Sequence, residues 1–301
     1  MDQPTLIDTQ MHGRAGITGC FVVRGSELTA LVETGPKSSL DHVLKGLADA
    51  GVEPDWLVVT HIHLDHAGAA GTLAHHFPEA RVAVHEVGAP HLADPSKLWS
   101  SAARIYGDEM DELWGGIDPI DPGRITTLAD GDEIDLGGRK LTAIDTPGHA
   151  RHHHTYLDDV TGIAFTGDAM GVRLEDVGVV RPATPPPEFD LEDGIASIER
   201  IRSLRPTEMW LTHFGSQKPQ PVDEVCDEAI AALRSWEGWV KEARTRSDDL
   251  DVIAAEVQKR AEEDLGGRLT PEAIDRMEQT TSYRMNTWGY VRYLDRKAKA
   301  S

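Results

Sequence analysis

The chain has 301 residues, with 51 acidic against 30 Lys and Arg side chains and a formal net charge of -21. That length buries a full core and exceeds one minimal domain, and such acidity excludes a nucleic-acid partner, whose affinity rests on Lys and Arg facing phosphates. The two cysteines, Cys20 and Cys226, lie far apart without Cys-x-x-Cys spacing, so they exclude a disulfide scaffold and read as small buried apolar residues. Met1-Asp2-Gln3-Pro4 lacks the basic segment and apolar core of a signal peptide. No stretch approaches the ~20 apolar residues of a membrane span. A reducing cytoplasm and no membrane partner are the expectation.

Along the chain, Cys20–Val23 and Leu28–Val32 read as paired strands around Arg24-Gly25-Ser26. Asp41–Ala50 has a helical apolar pattern, with Val43, Leu44 and Leu47 on one face and Gly51 as its stop. A strand over Trp56–Thr60 follows, then a helix from Leu73 and a strand over Arg81–Val84. The segment from Pro95 to Trp114 reads as a helical insertion. Its Leu98, Trp99, Ala102, Ile105, Tyr106, Met110, Leu113 and Trp114 follow helical steps, as a packed face or as a lid of large aromatics. Asp130–Ile144 is a hairpin turning at Gly137-Gly138. Arg181-Pro182-Ala183-Thr184-Pro185-Pro186-Pro187 is a stiff connector before a helix over Leu191–Leu204. From Val222 the pattern becomes long helices, over Asp223–Thr245, Asp249–Leu265 and Pro271–Ala298. The last begins with Thr270 as N-cap and Pro271 at the first position.

The densest chemistry is Thr60-His61-Ile62-His63-Leu64-Asp65-His66, at the end of an apolar strand and before a glycine-punctuated helix start. Imidazole and carboxylate are ordinary ligands of zinc and related ions, and four of them within six residues are hard to explain as packing. Three further apolar stretches each end in a loop delivering one such group: Thr146-Pro147-Gly148-His149, Phe165-Thr166-Gly167-Asp168 and Leu211-Thr212-His213-Phe214-Gly215.

With these four motifs in this order, the chain resembles the metallo-β-lactamase fold superfamily, in its glyoxalase-II-like and lactonase-like branch of metal-dependent hydrolases. The resemblance covers roughly the first three-quarters of the chain. It implies an α/β fold, a four-layer αββα sandwich with a C-terminal helical extension. The catalytic domain would span residues 1–221, with its helical insertion at about 95–115, and a helical subdomain residues 222–301. By the same resemblance His61, His63 and His149 would hold one metal, Asp65, His66 and His213 a second, and Asp168 would bridge them. Two such ions about 3.5–4 Å apart share a hydroxide and supply a nucleophile at neutral pH. Asp65 would orient the attacking water and accept its proton. The implied cofactors are two divalent ions, zinc first, with iron or manganese accepted by the same donors.

The implied activity is cleavage of an ester, thioester or lactone of a small-molecule substrate. Lactonase relatives place a tyrosine shortly after the bridging aspartate, where this chain has Ala169-Met170-Gly171. The glyoxalase-II-like branch uses its C-terminal helices at the substrate site, but no thiol-conjugate motif stands out here. His153, Tyr106 and Arg173 are assigned behind the ligands or facing substrate. Arg173 and Arg181 are otherwise exposed arginines, and His152 and His154 receive no role. His75, His76, His85 and His91 are placed on surfaces or at the rim. A mononuclear-iron persulfide dioxygenase and a non-catalytic binding protein are the competing readings, and a homodimer is the expected assembly.

Overall fold

The computed structural model describes residues 2–174, 177–266 and 269–300. In chain order its elements are β1 (Thr5–Asp8), β2 (Gly19–Arg24), β3 (Thr29–Val32), α1 (Leu40–Ala50), β4 (Trp56–Val58), α2 (Leu64–Ala67), α3 (Ala70–His76), β5 (Arg81–His85), α4 (Ala89–Ala93), α5 (Ser96–Tyr106), α6 (Met110–Trp114), β6 (Ile125–Leu128), β7 (Glu133–Asp135), β8 (Lys140–Asp145), β9 (His154–Asp158), β10 (Ile163–Phe165), α7 (Leu191–Ser203), β11 (Glu208–Leu211), β12 (Gly215–Ser216), α8 (Val222–Arg244), α9 (Leu250–Asp264), α10 (Pro271–Thr280) and α11 (Tyr283–Ala300). Two compact units interleave along the chain. One takes Met1–Asp145, His152–Gly167 and Pro206–Ser216; the other takes Thr146–Arg151, Asp168–Arg205 and Gln217–Ser301.

The first unit holds two six-stranded sheets, ordered β1-β2-β3-β4-β5-β6 and β12-β11-β10-β9-β8-β7. Strands β3 to β6 run parallel, which demands crossovers; α1, then α2 with α3, then α4 to α6 supply them. The strands are apolar almost throughout because both faces are covered. Successive side chains point to opposite faces, so each strand serves two cores. Cys20, Val22, Leu31, Leu57, Val82 and Val84 join Val43, Leu47 and Leu73 of the helices. Phe21, Val23, Ala30, Val32, Val58 and Ala83 meet Leu141, Ala143, Tyr156, Phe165 and Trp210 of the other sheet. Phe21 centres this second core, its ring 5.3 Å from Phe165 and 5.5 Å from Trp210. The fully buried Arg139 pairs with Asp158 and donates to the carbonyls of Asp2 and Arg24.

The insertion is helical as expected but breaks at Gly107, whose φ of 55° ends α5 before a short 3-10 turn and α6. Its aromatic stripe packs: Leu98, Trp99, Ala102 and Tyr106 lie on Met11, Ile17, Leu64, Met110 and Trp114.

The second unit is helical, built from α7 to α11. Asp190 caps α7 by accepting from the amides of Glu192 and Asp193. The single helix expected over Pro271–Ala298 is two, α10 and α11, because tertiary hydrogen bonds hold Thr281 between them. Its hydroxyl donates to the Pro182 carbonyl, its own carbonyl accepts from Arg181, and Asn286 donates to its hydroxyl. Arg181 is accordingly not an exposed arginine: it is 4% exposed, pairs with Glu278 and lies 4.0 Å from the centre of the Tyr283 ring. The C-terminal aromatics pack within the unit, with Trp236 stacked on Tyr283 and the Tyr290 hydroxyl donating to the Leu233 carbonyl. Both cysteines are buried and unpaired. Among the described residues no helix is long and apolar enough to cross a membrane.

Candidate metal centre

Parallel strands deliver their loops at the carboxyl ends, where α/β sheets gather ligands. In the first unit β3 leads to Glu33, β4 to the His61 loop, and β11 to Thr212 and His213, while the single turn of α2 carries Asp65 and His66. Asp65 Oδ2 lies 3.4 Å from His213 Nε2 and 3.5 Å from His66 Nε2. His61 Nε2 is 3.0 Å from His63 Nδ1, and the rings of His61 and His66 have centroids 3.9 Å apart. The first unit therefore brings together five of the seven ligands expected from the sequence.

The protonation pattern decides what this cluster is for. His213 Nδ1 is 2.8 Å from the Ile17 carbonyl, and His66 Nδ1 is 2.9 Å from Glu33 Oε1. Both acceptors demand that Nδ1 carry the proton, so in each neutral ring Nε2 bears a lone pair. Those lone pairs face the Asp65 carboxylate. Two electron-rich atoms held 3.4–3.5 Å apart repel unless a proton on Nε2 or a metal cation lies between them. Asp65, His66 and His213 each present a ligating atom close enough to the others for one ion to reach all three.

The second unit repeats the pattern with the other two ligands. His149 Nδ1 is 2.9 Å from the Ala183 carbonyl, leaving Nε2 to face Asp168 Oδ2 at 3.5 Å. The His149 loop lies against α7, where the Asp190 amide donates to the Gly148 carbonyl and Ser197 Oγ to the Pro147 carbonyl. A Cβ on Gly148, at φ 129°, would sit 2.3 Å from the Cα of Gly194, so only glycine allows that approach. Gly167, before Asp168, is equally constrained: at φ 49°, its Cβ would meet His153 Nε2 at 2.5 Å and Thr60 Oγ1 at 2.6 Å.

Glu33 is the residue of this candidate site that the sequence did not disclose. It is fully buried, in a left-handed backbone conformation at φ 66°. Its Oε1 accepts from Thr60 Oγ1 at 2.6 Å, His66 Nδ1 at 2.9 Å and Thr212 Oγ1 at 2.9 Å, and its Oε2 from the Thr60 amide at 3.3 Å. Thr60 Oγ1 in turn lies 3.0 Å from His61 Nδ1. Because that hydroxyl spends its proton on Glu33, it accepts from His61 Nδ1–H, and the Nε2 of the neutral His61 ring faces His63 Nδ1. One carboxylate thus sets two imidazole tautomers and anchors the threonines preceding His61 and His213. Partners of this kind orient ligands and raise their basicity. Backbone outliers also gather at the neighbouring turn, where Gln10 and His12 are left-handed at φ 51° and 55°.

His153 is fully buried, its ring 5.0 Å from that of His61. His152, given no role from sequence, stacks 6.2 Å from His61 and lies edge-on 5.8 Å from His63. The Tyr106 phenol is raised above its ordinary pKa by burial and then by the Asp65 carboxylate, so it stays protonated. Arg173 donates to Gln217 and pairs with Glu228 inside the second unit.

His85 corrects a sequence reading: it is buried, not on a surface or rim, and its ring lies 4.6 Å from that of His154. Both face Asp145 Oδ1, His154 Nε2 at 2.9 Å and His85 Nε2 at 3.6 Å. These three could ligate an ion by proximity, but the Val87 amide donates to His85 Nδ1. That places the neutral ring's proton on Nε2 and makes the cluster a hydrogen-bonded one. The sequence could not show it, since residues 85 and 154 stand on strands of different sheets and meet only through the packing of one sheet on the other.

The model of the metallo-beta-lactamase superfamily matches residues 13–213. The chain belongs to that superfamily. It is 32% identical to the metallo-beta-lactamase fold-containing protein ST1585 of Sulfurisphaera tokodaii over 69% of this chain and 77% of that one. The crystal structure of ST1585 aligns with a TM-score of 0.64 at 25% identity, covering 92% of this chain and 93% of the other. A hydroxyacylglutathione hydrolase of a Synechococcus strain is 28% identical over 57% of this chain and 54% of its own length. The human acyl-coenzyme A thioesterase MBLAC2 is 31% identical over 50% of this chain and 57% of its own. As a metallo-β-lactamase-fold protein, the chain has the αββα architecture expected from its motifs, extended by C-terminal helices.

Glu33→Gln replaces an acceptor that three donors share. It should weaken zinc binding by about 10–100-fold, measured by competition with a chromophoric chelator; unchanged affinity would remove Glu33 from ligand positioning. His154 is held at about 4, by burial first and then by the charge of His85, against ~6.5 for an exposed imidazole. Between those values the unfolded chain takes up a proton that the folded one refuses, so this stability is full above about pH 6.5 and is lost as pH falls toward 4. In chelator-treated protein, His154→Gln should therefore spare about 2 kcal/mol of the stability lost by pH 5, read from urea unfolding. Parallel pH profiles for the two proteins would contradict this.

Proposed function

We propose that the chain is a dinuclear metal-dependent hydrolase that cleaves an ester, thioester or lactone of a small molecule. The observation that carries this reading is the fixed ring orientation: His66, His213 and His149 each hold Nδ1 against a fixed acceptor and turn Nε2 toward an aspartate. Relatives named as a hydrolase and a thioesterase support the reaction class. In this reading His61, His63 and His149 hold one ion, Asp65, His66 and His213 the other, and Asp168 bridges them. Zinc is the proposed ion, matching the nitrogen-rich donors. Bound there, two divalent ions would supply Lewis acidity and a nucleophile at neutral pH.

The protein's own contribution is positional and protonic. Glu33 fixes the rings before any ion arrives, which lowers the reorganisation that binding demands. Asp65 is the carboxylate that orients the attacking water and takes its proton. The protonated phenol of Tyr106 serves as the donor to a substrate oxygen, on the insertion that packs over Leu64.

Asp65→Asn keeps a ligating oxygen but loses the proton acceptor. With both zinc equivalents retained, turnover of the best ester, thioester or lactone substrate should fall by about 10²–10⁴-fold while KM changes little. Near-normal turnover at full metal occupancy would overturn the role, and no turnover by the zinc-loaded parent on any of the three classes would overturn the reaction.

A further inference from the structure

We propose that a small apolar recess in the second unit seats the acyl group of the substrate and restricts it to about two carbons beyond the carbonyl. The proposal rests on the hydrolase reading and adds the substrate's shape. His149 and Asp168 form one wall of the recess, and Met170, Phe189, Ile198 and Leu233 form much of the rest. All four apolar residues are buried, Leu233 the most exposed of them at 7%. Two proposed metal ligands thus share a cavity with an otherwise hydrocarbon lining. An acyl carbon attached to a carbonyl held at those ligands enters it directly. The free space is close to what one water occupies, so a methyl fits as the recess stands, an ethyl fits when the flexible Met170 side chain gives, and a longer chain is excluded. Apolar pockets with a few convergent polar groups are the usual form of a substrate site.

Gly194, on α7, provides a selective probe. It lines the recess, and a Cβ there would meet Leu233 Cδ1 at 3.8 Å and Gly148 Cα at 3.9 Å, both ordinary van der Waals contacts. Gly194→Ala therefore fits without displacing the His149 loop, and alanine favours the helix more than glycine does. It places one methyl where the second acyl carbon would lie.

The test uses p-nitrophenyl acetate, propionate, butyrate and hexanoate with zinc-loaded full-length parent and Gly194→Ala. Calorimetric titration of the four matching carboxylates runs in parallel. The parent's kcat/KM should peak at propionate and fall at least ~10-fold by hexanoate. Gly194→Ala should lower the propionate-to-acetate ratio by about 10-fold, since one misplaced methyl discriminates by about 10–200-fold. The carboxylate affinities should follow the same order. A flat chain-length series, Gly194→Ala shifting every member equally, or no carboxylate binding would overturn the recess. If no ester is turned over but the carboxylates bind in the predicted order, the hydrolase reading fails and the recess stands.

Discussion

The Glu33 carboxylate is fully buried and accepts from Thr60, His66 and Thr212. Taking a carboxylate out of water costs several kcal/mol even after relaxation, so such a group persists only with dense compensation. Four hydrogen bonds provide part of it. The His66 imidazole that Glu33 orients turns its other nitrogen toward a second carboxylate, Asp65. Anions and lone pairs accumulating inward are stabilised by cations, and the donors are those that zinc, iron and manganese accept. Within the first unit, the His61 and His213 loops and the buried acid form one electrostatic arrangement.

The scaffold explains the precision. Short parallel strands with both faces buried leave little freedom to their carboxyl ends. Glu33, Thr60 and Thr212 start from those ends. In the second unit, backbone approach does the equivalent work: the Gly148–Gly194 contact and the Ala183 carbonyl fix where His149 points. Strain is concentrated nearby in non-glycine left-handed residues, Gln10, His12 and Glu33, as expected where geometry is held against local preference.

What the sequence disclosed follows the range of the interactions involved. The candidate cluster was legible because His61, His63, Asp65 and His66 sit within six residues, and the order of the later motifs pointed to the family. Helix and hairpin boundaries near Gly51, Gly137 and Pro271 were legible because they rest on local backbone preference. Long-range constraints were not. The break at Thr281 depends on Pro182, Arg181 and Asn286. The burial of Arg181 depends on Glu278 and Tyr283. The meeting of His85 with His154 depends on how the two sheets pack. Glu33 is the sharpest case: its neighbours in sequence give no sign of a buried acid, and its role exists only where residues 33, 60, 66 and 212 converge.

The most direct test is elemental analysis of untagged protein purified without added metal, combined with thermal unfolding before and after chelation. The account predicts two divalent equivalents per chain, zinc or a mixture with iron or manganese, and a marked fall in Tm on their removal that two equivalents of zinc reverse. Metal-free protein whose Tm ignores both chelator and added zinc would contradict it.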